Sequence, residues 1–112
     1  MTETTQYGVI LVTASSQAEA IAIARALVQE KLAACVTLLP VHSIYTWQHE
    51  VHEAEEWQLL IKSEQGHFAV LERRIREIHS YEVPEVILLP VLAGSLPYLQ
   101  WISEQVNPAS DK

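Results

Sequence analysis

The chain begins with a short apolar run followed by residues at helical spacing. Tyr7–Thr13 is apolar and rich in β-branched residues, which is the pattern of a strand buried on both faces. Ser16 and Glu19 have the spacing of a capping box, and the apolar positions in 20–28 recur every three or four residues to about Lys31. These patterns predict a first strand and a first helix.

A long hairpin is predicted next. Its first strand runs through Cys35–Leu39 and Val41–Trp47, and Pro40, which cannot donate a ladder hydrogen bond, marks a bulge or a sheet edge between them. The polar segment Gln48–Ala54 is predicted to be the tip. Apolar and polar residues then alternate through 57–62, which predicts the return strand.

The second half of the chain repeats the order of helix and strand. A helical stripe at Phe68, Leu71, Ile75 and Ile78 ends before Pro84, and Val86–Val91 is predicted to be the last main strand. Pro97 then opens a short helix. The order β-α-β-β-α-β with a C-terminal helix predicts an α+β, ferredoxin-like split βαβ fold, with an antiparallel sheet and both helices on one face.

The length of 112 residues corresponds to one domain. We expect its ordered core at about residues 7–106, with loose termini at 1–6 and 107–112. Apolar residues make up 49% of the chain and charged residues only 19%, below the roughly 25% of an average soluble domain. Since two helices cover only one face of the sheet, we expect further copies of the chain to cover the other.

The charge and the cysteine count exclude several classes of function. The formal net charge of −7 disfavours binding to nucleic acid or to an anionic membrane surface. No apolar run approaches the roughly 20 residues that span a bilayer. Cys35, the single cysteine, excludes an intrachain disulfide and fits a reducing compartment. Since the first residues also lack the pattern of a signal peptide, we expect a cytoplasmic protein.

Two groups of candidate metal ligands have ordinary explanations as well. Cys35 is a soft metal ligand or nucleophile by its chemistry, although a lone cysteine is more often a small buried hydrophobe. His49 and His52 have a spacing of three rather than the four of a helical zinc motif, so a solvated hairpin tip is the stronger interpretation. A thiol enzyme using Cys35 remains a third, weaker alternative. No Gly-rich phosphate loop or G-x-S-x-G elbow is present.

The segment His79–Glu85 is the richest in chemical groups. It places a histidine, a tyrosine and two carboxylates after the second helix, where either a binding site or a helix-terminal histidine is a reasonable interpretation. Tyr45 and Trp47 flank the hairpin and suit packing at a core or an interface. Lys62 is placed to contact an anion, a carboxylate such as Glu85, or solvent.

Five ordered blocks of the sequence together resemble the CutA divalent-cation tolerance family, over nearly the whole chain from Val9 to Ile102. The blocks are Lys31–Val36, Ser43–Trp47, Leu60–Ser63, His79–Glu85 and Tyr98–Ile102. The resemblance implies a tight homotrimer, similar in shape to the PII signalling proteins, whose hairpins pair with neighbouring subunits. It also implies a role in tolerance of copper and other divalent metals, and it implies no enzyme activity.

The resemblance directs attention to one intersubunit cleft. As a hypothesis, His79 and Glu85 hold a weakly bound divalent cation such as copper, with Cys35 as a further candidate ligand. Tyr45, Trp47, Lys62 and Tyr81 then form the ligand-binding cleft. In the alternative, the protein is a PII-like sensor or adaptor that binds a small anionic metabolite on Lys62. Some family members have further ligands where this chain has Val12 and Ile78.

Overall fold

The structure is a computed structural model that describes residues 6–107. Its elements are β1 (Tyr7–Ala14), α1 (Gln17–Gln29), β2 (Cys35–Trp47), β3 (Glu50–Glu64), α2 (Phe68–Ile78), β4 (Ile87–Pro90) and α3 (Leu96–Gln105). The strands form one antiparallel sheet in the order β2-β3-β1-β4. The predicted ferredoxin-like fold is therefore confirmed. Of the termini predicted to be loose, residues 1–5 and 108–112 lie outside the described residues.

One face of the sheet packs against α1 and α2 because apolar residues alternate along its central strands. On β1 the buried side chains are Ile10, Val12 and Ala14, and on β3 they are Leu59 and Ile61. Each helix adds its own apolar stripe, with Ile23 and Leu27 from α1 and Leu71 and Ile75 from α2. This contact forms the main hydrophobic core.

The other face of the sheet is only partly covered. Leu99 and Ile102 of helix α3, together with Val106 just after it, pack against Tyr7 and Ala34 at one end. Beyond α3, the large apolar side chains of Leu39, Ile87 and Leu89 remain exposed. None of the three helices among residues 6–107 is long and apolar enough to cross a membrane.

The hairpin of β2 and β3 extends beyond the rest of the sheet. β1 pairs with β3 only as far as the pair Ala14–Trp57, so Val41–Trp47 and Glu50–Glu56 pair only with each other. We call this two-stranded part, residues 41–56, the arm. On the arm, the imidazole of His42 contacts two carboxylates of β3. Its Nε2 atom lies 2.7 Å from Oε1 of Glu53, and its Nδ1 atom lies 2.7 Å from Oε2 of Glu55.

The predicted hairpin tip at Gln48–Ala54 is wrong in its extent. Both strands continue to a two-residue turn at Gln48 and His49, whose φ angles are 52° and 70°. Two central residues with positive φ are typical of a type I′ turn, the two-residue turn whose twist matches that of the strands. Five of the residues assigned to the tip, 50–54, therefore belong to β3.

Pro40 lies on the edge strand and opposite Trp57 in an uninterrupted register. Of the two alternatives that the sequence left open, the sheet edge is therefore correct and the bulge is not. An edge strand has one side without a neighbour in the sheet, so a missing N–H is tolerated there.

Replacing His49 by glycine is expected to stabilise the protein. Glycine adopts positive φ without the steric conflict that a Cβ atom causes, so His49→Gly should raise the free energy of unfolding by about 1 kcal/mol. Urea denaturation of the variant and the wild type would measure the difference. His52→Gly, at a regular strand position, is the matched control and should destabilise. A His49→Gly variant less stable than the wild type would contradict the assigned turn.

Candidate functional site

The loop between α2 and β4 crosses the end of β1 and is held there by His79. The imidazole is fully buried, and its Nε2 donates a hydrogen bond to the backbone oxygen of Thr13 at 2.6 Å. Its Nδ1 accepts a hydrogen bond from the backbone N–H of Tyr81 at 2.9 Å. These partners assign the neutral tautomer with the proton on Nε2. His79 thus fixes the path of the loop.

The predicted role of His79 as a metal ligand is not compatible with this arrangement. A metal ion binds an imidazole nitrogen through its lone pair. The only lone pair of His79, on Nδ1, already accepts the Tyr81 N–H, and the ring has no exposed surface. His79 therefore positions the loop in this structure and does not offer a ligand atom.

Glu19 anchors the same loop to the start of α1. Its carboxylate accepts hydrogen bonds from the backbone N–H of Ser80 at 2.7 Å and from the N–H and hydroxyl of Ser15 at 3.0 and 2.8 Å. Burial would by itself raise the pKa of Glu19, but the hydrogen bonds from Ser80 and Ser15 outweigh it and lower the pKa from 4.5 to about 2.

The capping box at the start of α1 is confirmed in one of its two hydrogen bonds. The Ser16 hydroxyl accepts from the backbone N–H of Glu19 at 3.1 Å, as an N-cap should. The carboxylate of Glu19 reaches Ser15 rather than the backbone of Ser16. The second carboxylate oxygen, Oε2, holds Ser80 in the loop.

A third contact joins the loop to the arm. The hydroxyl of Tyr81 donates to the Oε2 atom of Glu56 at 2.5 Å, and the Glu56 side chain lies on β3 just beyond the end of β1. Burial, and then the negative charge and hydrogen bond of Glu56, raise the pKa of the Tyr81 hydroxyl well above its usual value of 10. Tyr81 therefore remains a hydrogen-bond donor across the physiological pH range.

The loop and the arm enclose a cavity of about 730 Å³, which we call the cleft. It is lined by Thr13, Ser43, Ile44, Tyr45, Trp47, Glu56, Ser80, Tyr81, Glu82, Val83 and Glu85. The lining combines three aromatic rings with three carboxylates and contains no lysine, arginine or histidine. A cleft of this kind attracts cations and repels anions.

The structure brings together four of the seven site residues predicted from the sequence. Tyr45, Trp47, Tyr81 and Glu85 line the cleft, in addition to the buried His79 behind it.

Cys35 and Lys62 lie elsewhere in the chain. They pair with each other in the register of β2 and β3. Along β3, Lys62 lies four residues, or about 13 Å, from Gln58. Gln58 in turn pairs with Thr13 at the cleft. The ammonium group of Lys62 donates to the Thr37 hydroxyl at 2.7 Å and not to Glu85. Within one chain, Lys62 therefore does not line the cleft, and its place in a cleft between subunits stays a prediction.

Sequence reasoning missed Glu19 as part of this region and gave Glu56 and Glu82 no distinct role. The signal for Glu19 was its place in the capping box, but the partner Ser80 is 61 residues away. Glu56 stood in a run of acidic residues near the hairpin, and only its contact with Tyr81 distinguishes it. Glu82 was counted only as one of the two carboxylates in the segment His79–Glu85 and was not singled out as a site residue.

Within residues 6–107 of one chain, the predicted ligand atoms do not come together. No group of three or more histidine, cysteine, aspartate or glutamate side chains within residues 6–107 has an arrangement that could hold an ion by itself. His49 is exposed in the hairpin turn, whereas His52 stacks against Tyr45 with ring centroids 5.9 Å apart. The two hairpin histidines therefore do not converge.

Comparison with known proteins finds one family model and several relatives that carry the same family name. Residues 8–105 match the family described as CutA1 divalent ion tolerance protein. The chain is 45% identical over 100 residues to the divalent-cation tolerance protein CutA of Thermus thermophilus, covering 88% of this chain and 97% of that protein. It is 43% identical to the human protein CutA over 101 residues, covering 89% of this chain but only 56% of the human protein.

A solved structure shows the same fold. The periplasmic divalent cation tolerance protein CutA from Archaeoglobus fulgidus superimposes with a TM-score of 0.89 at 34% sequence identity, covering 90% of this chain and 99% of the other.

Glu19→Gln should destabilise the protein at neutral pH by about 1–3 kcal/mol, since hydrogen bonds to a charged acceptor are lost. Because the pKa of Glu19 is lower in the folded state than in the unfolded state, its contribution is present above pH 4.5 and is lost as the pH falls toward 2. Denaturant unfolding of both proteins between pH 2 and 7 would measure this difference.

Glu104→Gln is the matched control, because Glu104 is exposed on α3, away from the loop. The control should unfold like the wild type at every pH. If the difference between Glu19→Gln and the wild type were the same at pH 2 as at pH 7, the carboxylate would not be the anchor of the loop.

Proposed function

This chain belongs to the CutA1 divalent ion tolerance family, and from that membership we propose that it acts in divalent-cation tolerance as a non-enzymatic homotrimer that binds a divalent cation weakly at the cleft. The observation that supports the proposal most directly is the charge of the cleft. Glu56, Glu82 and Glu85 line it without any cationic side chain from residues 6–107.

Carboxylate oxygens are the expected ligands of such a cation. Glu82 is exposed and Glu85 half-buried in the loop, so both can turn toward an ion that keeps part of its water shell. This is a weaker form of binding than a closed site of imidazole and thiolate ligands would give. It agrees with the absence of a preformed ligand group among residues 6–107.

A copper site built from His79, Glu85 and Cys35 does not fit the chain. Cys35 is far along the sheet from the loop, and both nitrogens of His79 are occupied. A preference for copper would instead follow from the general order of affinities, in which a given set of oxygen ligands binds Cu²⁺ more tightly than Zn²⁺ or Ni²⁺. Copper would therefore be favoured among divalent ions without dedicated soft ligands.

The proposed trimer would cover the surfaces that one chain leaves open. The uncovered sheet face exposes Leu39, Ile87 and Leu89, and the arm exposes Val51 next to its turn. Both edges of the arm lack a strand neighbour within residues 6–107, and an isolated two-stranded hairpin is marginally stable in water. Two further copies of the chain would supply both strand partners and apolar cover.

The proposed compartment is the cytoplasm. Cys35 is the only cysteine and is half-buried, which suits a reducing environment in which no disulfide is required.

Calorimetric titration with Cu²⁺ and Zn²⁺ should detect binding with dissociation constants of roughly 0.1–1 mM. Replacing both loop carboxylates, in Glu82→Gln/Glu85→Gln, should weaken binding at least about tenfold, because the variant loses the two charged oxygen ligands of the proposed site. Glu104→Gln is the control and should bind like the wild type. Equal binding by the double variant and the wild type would exclude the cleft as the site.

Sedimentation equilibrium at micromolar protein should give a mass of about 38 kDa, three times the 12.6 kDa of one chain. Ile87→Glu/Leu89→Glu places charges on the open sheet face and should reduce the mass to that of a monomer. Val28→Glu, an exposed apolar position on α1, is the control and should remain trimeric. Far-UV circular dichroism would verify that each variant is folded. A monomeric wild-type protein would overturn the proposed assembly.

A further inference from the structure

The aromatic rings of the cleft have no role in binding a hydrated metal ion. Tyr45, Trp47 and Tyr81 lie on two different elements, the arm and the loop, and face one cavity. The side chains of Tyr45 and Trp47 are 43% and 44% exposed, although each is large and apolar. Rings in this position can contact an organic ligand on their faces.

Glu56 supplies a negative charge at the same place. Only 7% of this residue is exposed, and its one hydrogen-bond partner within residues 6–107 is the hydroxyl of Tyr81. No lysine, arginine or histidine of the described chain forms an ion pair with it. Buried carboxylates are normally paired with a positive charge. The Oε1 atom of Glu56 takes part in none of these hydrogen bonds, and Glu56 lines the cleft.

The volume also suits an organic ligand. A cavity of about 730 Å³ lies in the range of small-molecule sites, which is roughly 300–1,000 Å³. Aromatic faces carry a negative potential and attract ammonium and guanidinium groups, and nearby carboxylates strengthen that attraction. The combination of rings and carboxylates without a cationic side chain is thus complementary to an organic cation.

We propose that the cleft binds an organic cation, an alkylammonium or guanidinium group, between the rings of Tyr45, Trp47 and Tyr81, with its charge directed at Glu56. The inference rests on the proposed function only in using the same cleft. It differs in the groups involved, because the metal ion would bind the carboxylates of Glu82 and Glu85 at the loop.

The test is calorimetric titration of the wild-type protein with n-butylammonium and tetramethylammonium chloride at constant chloride concentration. n-Butanol has nearly the same size and shape as n-butylammonium but no charge. We expect both cations to bind and n-butanol to bind at least about tenfold more weakly. Equal binding of n-butanol, or binding by none of the three, would overturn the proposal.

Variants separate this site from the metal site. Tyr45→Leu and Trp47→Leu should each weaken n-butylammonium binding about tenfold and leave Zn²⁺ binding unchanged. Tyr98→Leu removes a ring of the same 43% exposure outside the cleft and should alter neither titration. Loss of n-butylammonium binding in Tyr98→Leu but not in Tyr45→Leu would show that the ligand binds elsewhere and would overturn the proposal.

The two proposals can fail independently. If n-butylammonium binds and Zn²⁺ does not, the metal function fails and the organic-cation site stands; the reverse result overturns the organic-cation site alone.

A last titration identifies the source of the cation, since an alkylammonium or guanidinium group can belong to a free amine or to a protein side chain. Acetyl-Gly-Arg-Gly-amide binding tighter than both n-butylammonium and spermidine supports a side chain, and the opposite order supports a free amine.

Discussion

The unequal length of neighbouring strands is the constraint on which the rest of the structure depends. β3 has 15 residues, whereas β1, its partner toward the centre of the sheet, has only eight. The hairpin therefore continues as a two-stranded arm past the end of β1, and the loop after α2 fills the space beside it. The cleft forms between these two parts. A longer β1 would pair with the arm and close the site.

Three contacts hold the loop in place, and each one reaches a different element. His79 binds the end of β1, Glu19 binds the loop from the start of α1, and Tyr81 binds Glu56 on the arm. All three contacts are made by residues 79–81 of the loop, and none of them uses the carboxylates of Glu82 and Glu85. This division leaves Glu82 and Glu85 available for a ligand.

The positions where the sequence departs from the ligand pattern of some family members have a structural explanation. Val12 is fully buried in the main core, and Ile78, at the end of α2, packs against that core. Apolar side chains at both positions contribute to packing between the sheet and the helices. Since His79 is also committed to hydrogen bonds, the ligand groups proposed for this chain are carboxylate oxygens and aromatic rings.

The sequence by itself determined the order of elements and the face of the sheet that is buried, because apolar periodicity and capping residues act within a few positions of the chain. It also placed Tyr45, Trp47, Tyr81 and Glu85 near a site, through the resemblance to a family. It misjudged the hairpin tip, since the polar residues of 50–54 gave no sign that they continue a strand.

Only the tertiary structure decided which chemical groups meet. The partners Glu19 and Ser80 are separated by 61 residues, and Glu56 and Tyr81 by 25, so no local pattern links them. The tertiary structure also decides which groups stay apart. Lys62 and Cys35 are on the same hairpin as Tyr45, but they lie farther along the sheet, away from the cleft. The register of long-range strand pairing sets these distances, and it follows from the packing of the whole sheet rather than from any single segment.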